Sequence, residues 1–233
     1  MSEKTLLVDE LISQIREGKY KPNDKLPSEN ELADLYKVPR MVIRKAYERL
    51  QELGFIFSKQ GKGSYVQNRR LQIPLILTGN VSFTEKMREM NYDYKTKTIS
   101  CEEIPYDSSI YHTLNANRGE VVYKISRLRI VEECPIAVHT SFLPQSLFQN
   151  IQMEGKDIRS IFQFYKQKGY SDFQSMKSQL SVVFPSEAER ETLECPSLVP
   201  LLLLESGCAD GKTGTVLECS QIMYRSDCFT YVL

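Results

Sequence analysis

Residues 24–66 read DKLPSENELADLYKVPRMVIRKAYERLQELGFIFSKQGKGSYV, and the hydrophobic period changes within them. Ser28 followed by Glu31 is a capping box, in which each side chain satisfies a free backbone donor at a helix start, here just after Pro27. Leu32, Leu35 and Tyr36 give that short helix an apolar face. Pro39, with its fixed φ and missing N–H, suits the first position of another helix. Val42, Ile43, Ala46, Leu50 and Leu53 line its buried side, and Gly54 is a natural C-terminal cap. The period then becomes two: residues 55–58 and 64–67 flank Lys59-Gln60-Gly61-Lys62-Gly63, a small hairpin with a glycine-rich tip. Upstream, Val8, Leu11, Ile12 and Ile15 form the stripe of an amphipathic helix that Gly18 ends. Three helices and a hairpin in this order predict a winged helix-turn-helix whose third helix enters the major groove of DNA.

The charge distribution agrees. The formal net charge of the 233 residues is zero, but residues 1–70 hold 14 Lys and Arg against 10 Asp and Glu, while residues 71–233 hold 16 against 20. Between residues 37 and 70 nine basic side chains meet only Glu48 and Glu52, so a basic module is joined to a mildly acidic one. Helical positions advance about 100° each, which puts Arg40 and Arg44 on one face, opposite the buried side. Arg can grip guanine O6 and N7 or clamp phosphate, and Lys59 and Lys62 on the wing can neutralise phosphates where Gly61 lets the backbone come close. The bland reading, a solvated helix face, is outweighed because helices, hairpin and local charge all agree.

Residues 67–74 (QNRRLQIP) have no apolar period and read as a linker, giving a DNA-binding domain over 1–67, a linker over 68–75 and a second domain over 76–233. The second domain is predicted as α+β with an antiparallel sheet. Strands are expected over 96–104, 121–131, 136–143, 179–184, 201–205 and 215–225, and helices over 83–90, 158–168 and 186–193. In the strand over 121–131, Val121, Tyr123, Ile125, Arg127, Arg129 and Val131 share one face. Two Arg on a mostly apolar face need an anionic partner. That partner is either a phosphate or carboxylate on a ligand, or an internal acid such as Glu218. Glu218, Ser220, Ile222 and Tyr224 likewise share a face, offering an acceptor and a phenol to sugar-like hydroxyls, although plain core packing explains them nearly as well.

The composition closes off other classes. At 41% hydrophobic and 26% charged the chain is an ordinary folded protein, and no apolar run approaches the roughly 20 residues of a membrane helix. With no basic-then-apolar leader at the N-terminus, a cytoplasmic location is expected. Six scattered cysteines without a Cys-x-x-Cys pair, and only two histidines, point to reduced thiols, with no metal and no cofactor. An enzyme is poorly supported: Glu102-Glu103 and Glu132-Glu133 would point to opposite faces of a strand, and residues 207–213 (GCADGKT) have three residues, not four, between the glycines of a phosphate loop and read better as a hairpin turn at Asp210-Gly211. A constitutive architectural DNA binder would leave the Arg127 and Arg129 face without a purpose.

The stretches 24–33 (DKLPSENELA), 38–46 (VPRMVIRKA) and 60–66 (QGKGSYV) resemble the DNA-binding signature of GntR-type bacterial transcriptional regulators. The resemblance implies that Arg40, Arg44, Gln60 and Gly61 touch DNA, within a candidate set completed by Asn30, Met41, Lys45, Lys59 and Lys62. Asn30 stands where Arg is common, Pro39 where Ser or Thr is common and Val42 where Thr is common. Residues 81–87 (VSFTEKM), Arg127-Leu128-Arg129, Pro135-Ile136-Ala137, and Glu218 with 224–227 (YRSD) are similar to the UTRA effector domain of the HutC-type subfamily, a fold itself similar to chorismate lyase. That resemblance implies an effector site of Ser82, Phe83, Thr84, Arg127 and Arg129 around a phosphate, with Glu218, Tyr224, Ser160 and His139 toward a sugar. His139 takes a place where those members usually carry Glu. The expectation is a ligand-responsive regulator, a repressor, that binds double-stranded operator DNA as a homodimer and senses a phosphorylated sugar or amino sugar. A chorismate-lyase-like activity is the rival reading.

Overall fold

Ser2 opens the first helix by accepting the Thr5 N–H at 3.3 Å; three helices precede the first strand, and three strands close the chain. The structure, a computed structural model, describes residues 2–68, 73–75 and 83–231. In chain order the elements are α1 (Glu3–Arg16), α2 (Glu29–Tyr36), α3 (Arg40–Glu52), β1 (Ile56–Lys59), β2 (Gly63–Val66), β3 (Ile73–Leu75), α4 (Phe83–Glu89), β4 (Tyr94–Glu103), α5 (Ser108–Leu114), β5 (Val122–Val131), β6 (Cys134–Pro144), α6 (Ile151–Glu154), α7 (Ile161–Gln167), β7 (Phe173–Ser175), β8 (Gln179–Val183), α8 (Glu187–Leu193), β9 (Leu201–Asp210), β10 (Val216–Arg225) and β11 (Phe229–Tyr231). No helix among them is long and apolar enough to cross a membrane.

They fall into two units, one of Met1–Ile73, Phe184–Pro200 and Ser226–Thr230, the other of Pro74–Val183, Leu201–Arg225 and Tyr231–Leu233. The sequence reading instead assigns everything after residue 75 to one domain. Its local patterns carry no trace of a contact such as the Leu198 N–H donating to Glu52 O at 2.9 Å, which brings residue 198 to the end of α3. Part of the expected linker, residues 69–72, lies outside the described residues. Residues 73–75 form β3 because distant β11 supplies the pairing strand.

In the first unit the capping box is made as expected: the Ser28 N–H donates to Glu31 at 2.7 Å and the Glu31 N–H to Ser28 Oγ at 3.3 Å. α2 ends at Lys37 in the left-handed region, φ 55°, which turns the chain sharply toward α3. Pro39 is the N-cap of α3, one position earlier than expected, because its ψ of 140° is still extended as the chain leaves that turn. Leu11, Leu32, Ile43, Ala46 and Leu50 are almost wholly buried together, while Val42 and Leu53 are half-buried. Tyr47 joins this core, and its hydroxyl donates to Pro27 O at 2.6 Å, fastening α3 to the start of α2. The wing pairs Ile56 with Val66 and Lys59 with Gly63.

The second unit is built on a seven-stranded antiparallel sheet ordered β4-β5-β6-β10-β9-β7, with β8 also paired to β9. α6 and α7 contribute Ile151, Ile161, Phe164 and Tyr165 to a core with Ile125, Leu143 and Leu217. α5 contributes Tyr111 and Leu114 to a second core with Val122 and Phe142. Ile125 and Val122 differ by an odd number of positions on β5, so the two cores lie on opposite faces of the sheet. Replacing Ser28 with Ala should lower the stability of the first unit by about 1 kcal/mol, the usual worth of a helix cap, read as a shifted midpoint in urea unfolding.

Candidate DNA-binding surface and effector site

Every residue of the candidate DNA set is exposed. A groove of about 370 Å³ is lined by Lys25, Asn30, Arg40, Gly61 and Lys62, so the starts of α2 and α3 and the tip of the wing converge in one place. Gly61 has a φ of +70° with open space where a Cβ would sit, a backbone that favours glycine and leaves room for close approach. Lys59 Nζ lies 5.3 Å from the Phe57 ring centre and 4.9 Å from that of Tyr65, rings that stack on each other at 5.8 Å. Arg40 Nε contacts Glu29 at 2.7 Å and Arg44 Nε contacts Glu48 at 3.1 Å. Lys45 is not in the wing groove; it lines a separate one between α1 and α3 with Lys4 and Arg49. Lys25 was not picked out by sequence reasoning, and its basic charge just before the Pro27 capping box was the available signal.

In the second unit, β5 sets Arg127 opposite His139 on β6 and Thr98 on β4, and Arg129 opposite Ala137 and Thr96. β10 sets Tyr224 opposite Ala137. Arg127 is wholly buried and Arg129 and Glu218 nearly so. Arg127 Nη2 donates to Ser141 Oγ. Arg129 Nη1 donates to Thr96 Oγ1 at 2.6 Å and to Arg159 O at 2.9 Å, and its guanidinium lies 5.0 Å from the centre of the Phe83 ring. Tyr165 Oη donates to Glu218 Oε2 at 3.0 Å, and Glu218 Oε1 is 3.6 Å from His139 Nε2, too far for a strong hydrogen bond. Ser160 caps α7, accepting the Gln163 N–H at 3.4 Å, and shares a cavity of about 270 Å³ with Thr84, Arg88 and Lys166. Ser82 lies outside the described residues.

Burial and these neighbours set the charges. Burial lowers Arg127 below its ordinary value, and burial together with the charge of Arg127 brings Arg129 down to about 9; guanidiniums stay protonated in folded proteins. Burial alone would raise Glu218, but His139, Arg127 and Ser141 outweigh it and hold the carboxyl below its usual range. Burial, then Arg127, lowers His139 to about 4, leaving it neutral. Two cations therefore face one anion. Seven buried side-chain polar atoms lack a hydrogen-bond partner among the described residues, and six are here: Thr98 Oγ1, Arg127 Nε and Nη1, Arg129 Nε, His139 Nε2 and Glu218 Oε1. Arg127 makes no ion pair within 4.0 Å among the described residues.

Residues 5–66 match the gntR family of bacterial regulatory proteins, and residues 89–230 match the UTRA domain. The chain is a GntR-family regulator with a UTRA domain. Over 226 residues it is 25% identical to the HTH-type transcriptional repressor NagR of Bacillus subtilis strain 168, covering 97% of this chain and 91% of that one. Over 229 residues it is 24% identical to the mannosyl-D-glycerate transport/metabolism system repressor MngR of Escherichia coli strain K12, covering 97% and 93%. In fold it is similar to PhnF from Mycobacterium smegmatis, with a TM-score of 0.63, 19% identity and coverage of 100% of this chain and 99% of that chain. The first two are named as repressors, and the third shows the shared fold.

For this regulator Thr98, Ser141 and Tyr165 join the cluster without having been singled out beforehand. Thr98 and Ser141 were findable once the strand register was known, whereas Tyr165 reaches Glu218 across 53 positions and left no local signal. Replacing Arg40 or Arg44 with Ala should weaken binding to an operator fragment selected from random DNA by about 1–3 kcal/mol, the worth of a bidentate guanine contact. Lys62→Ala should weaken all sequences alike and flatten the salt dependence, both read by gel shift at several salt concentrations. His139 is depressed from 6.5 to about 4, so its neutral form contributes stability that is complete above about pH 6.5 and is lost as pH falls toward 4. The slope should reach roughly 1.4 kcal/mol per pH unit, and His139→Gln should remove that part of the acid limb in denaturation curves.

Proposed function

We propose that this GntR-family regulator is a homodimeric repressor whose hold on its operator is set by a small anionic effector, a phosphorylated sugar or amino sugar, bound by Arg127 and Arg129. The observation that carries this is the gathering of unpartnered buried polar atoms around two guanidiniums and one carboxylate. A buried donor left without a partner costs about 1–3 kcal/mol, and a phosphate would supply acceptors to Arg127 Nε, Arg127 Nη1 and Arg129 Nε at once. Glu218 Oε1 would accept from a sugar hydroxyl or amine next to His139, and Tyr224, opposite Ala137, would lie toward the Arg129 end. Thr84 and Ser160, which line one cavity, would complete the site. The names of two relatives favour repression, and one is named for a system handling mannosyl-D-glycerate, a sugar that bears a carboxylate. Two copies of the basic α3 and wing surface would meet two half-sites about 34 Å or a multiple apart.

Thermal unfolding with a panel of sugar phosphates, set beside their neutral parent sugars, tests the site. The cognate anion at 100 times its Kd should add about 2.7 kcal/mol, and calorimetry on Arg127→Ala should show affinity reduced about 10- to 150-fold, the range of a hydrogen bond to a charged group. Equal shifts from neutral sugars, or unchanged affinity in the variant, would defeat the proposal. Operator affinity should change about 5- to 150-fold with effector present, and effector affinity should change by the same factor with operator present.

A further inference from the structure

The unpartnered polar atoms of the second unit are unequal in kind. Arg127 Nε, Arg127 Nη1 and Arg129 Nε only donate, Glu218 Oε1 only accepts, and Thr98 Oγ1 and His139 Nε2 can do either. Tyr165 Oη donates to Glu218 Oε2, which leaves Oε1 as the open oxygen of that carboxylate. His139 Nε2 lies 3.6 Å from Oε1, and its ring is neutral, lowered to about 4 by burial and then by Arg127. Cys208, opposite Glu218 on β9, brings a thiol that burial, and then Glu218, push up to about 12. Asp210, two positions along the same face of β9, is also buried, but its Oδ2 accepts the Thr213 N–H at 3.1 Å and the Thr213 hydroxyl at 2.7 Å. Among the described residues Glu218 is therefore the one carboxylate that serves this end of the cluster, where Arg127 faces His139 across β5 and β6.

We infer that the part of the effector lying between Glu218 and His139 is an uncharged hydroxyl, and that His139 is the residue that bars an ammonium from this place. The inference rests on the anion reading above and narrows it to phosphorylated sugars without a free amine near Glu218. The reason is a count of donors. A hydroxyl brings one donor and two acceptors, so it donates to Glu218 Oε1 and still accepts from Arg127, or from His139 when Nε2 carries the proton. An ammonium brings three donors and no acceptor. Glu218 Oε1 takes one of them and an unprotonated His139 Nε2 a second, which leaves a donor over and sets a charge beside a guanidinium that is itself wholly buried. An acid in place of the imidazole would supply both the missing acceptor and the missing counter-charge, and the protein holds a neutral ring there.

Calorimetry on the full chain with the 6-phosphates of glucose, mannose and galactose, each beside analogues in which the hydroxyl at carbon 2, 3 or 4 is an ammonium, tests this. The unphosphorylated sugars, run in parallel, report on the anion reading. At the position that meets Glu218 the ammonium analogue should bind wild type about 10-fold or more weakly than its parent, and no ammonium analogue should bind more tightly. His139→Glu should reverse that preference, and His139→Asp supplies the acid should the Glu variant fail to fold in a circular dichroism melt. His139→Gln, neutral like the imidazole, should keep the preference, which separates charge at this position from mere loss of the ring. An ammonium analogue that binds wild type more tightly than its parent, no loss of affinity at any of the three positions, or a folded acid variant with the wild-type preference would overturn the inference. The anion reading survives each of these as long as the phosphates bind and the unphosphorylated sugars do not. No binding by any of the phosphates would overturn both.

Discussion

A guanidinium shut away from water beside a second one is the constraint around which the effector-binding unit is arranged. Moving an ion into a protein interior costs several kcal/mol even after relaxation, and β5 does so twice on one face, at Arg127 and Arg129. Four elements answer it: Ser141 on β6, Thr96 on β4, the carbonyl of Arg159 ahead of α7, and the ring of Phe83 at the start of α4. Glu218 on β10 supplies the counter-charge and is itself held by Tyr165 of α7. The positive charge remains in excess by one, the imbalance that the proposed anionic effector would offset.

The DNA-binding head works in the opposite regime. Its cations stand in solvent, where a pair of charges is worth at most about 1 kcal/mol and salt screens it. What the fold contributes there is placement, through the Ser28–Glu31 capping box, the left-handed turn at Lys37 and the Tyr47 hydroxyl on Pro27, which fix α2 and α3 relative to each other. Binding strength then comes from DNA and not from burial.

What was legible in the sequence divides along the same line. The head is made of local contacts, and local signals found it: the capping box, the helical stripe and the glycine-tipped hairpin all lie within a few residues of what they specify. Pro39 was misplaced by one position because a proline at a helix start satisfies either slot equally well. In the second unit, alternation found β5, β6 and β10 and placed Arg127 and Arg129 on one face. α5, α6 and β7 were missed because they are short and depend on packing against the sheet. The choice between a ligand anion and an internal acid for Arg127 could not be read from one strand, since it turns on distances across β6 and β10. β3 pairs with a strand more than 150 positions away, and no local pattern announces such a partner.

The carboxylates of Glu29 and Glu48 have a consequence for how Arg40 and Arg44 meet DNA. A free arginine side chain loses about 2 kcal/mol of rotamer entropy when it is fixed. Here each Nε is already held by a carboxylate, so part of that ordering has occurred before any duplex arrives. The pairs are exposed and weak, so exchanging them for guanine or phosphate forfeits little. Were these two arginines to read bases as proposed, that face would be preorganised at small enthalpic cost, and its discrimination between base pairs less blurred by side-chain motion than solvent exposure alone would suggest.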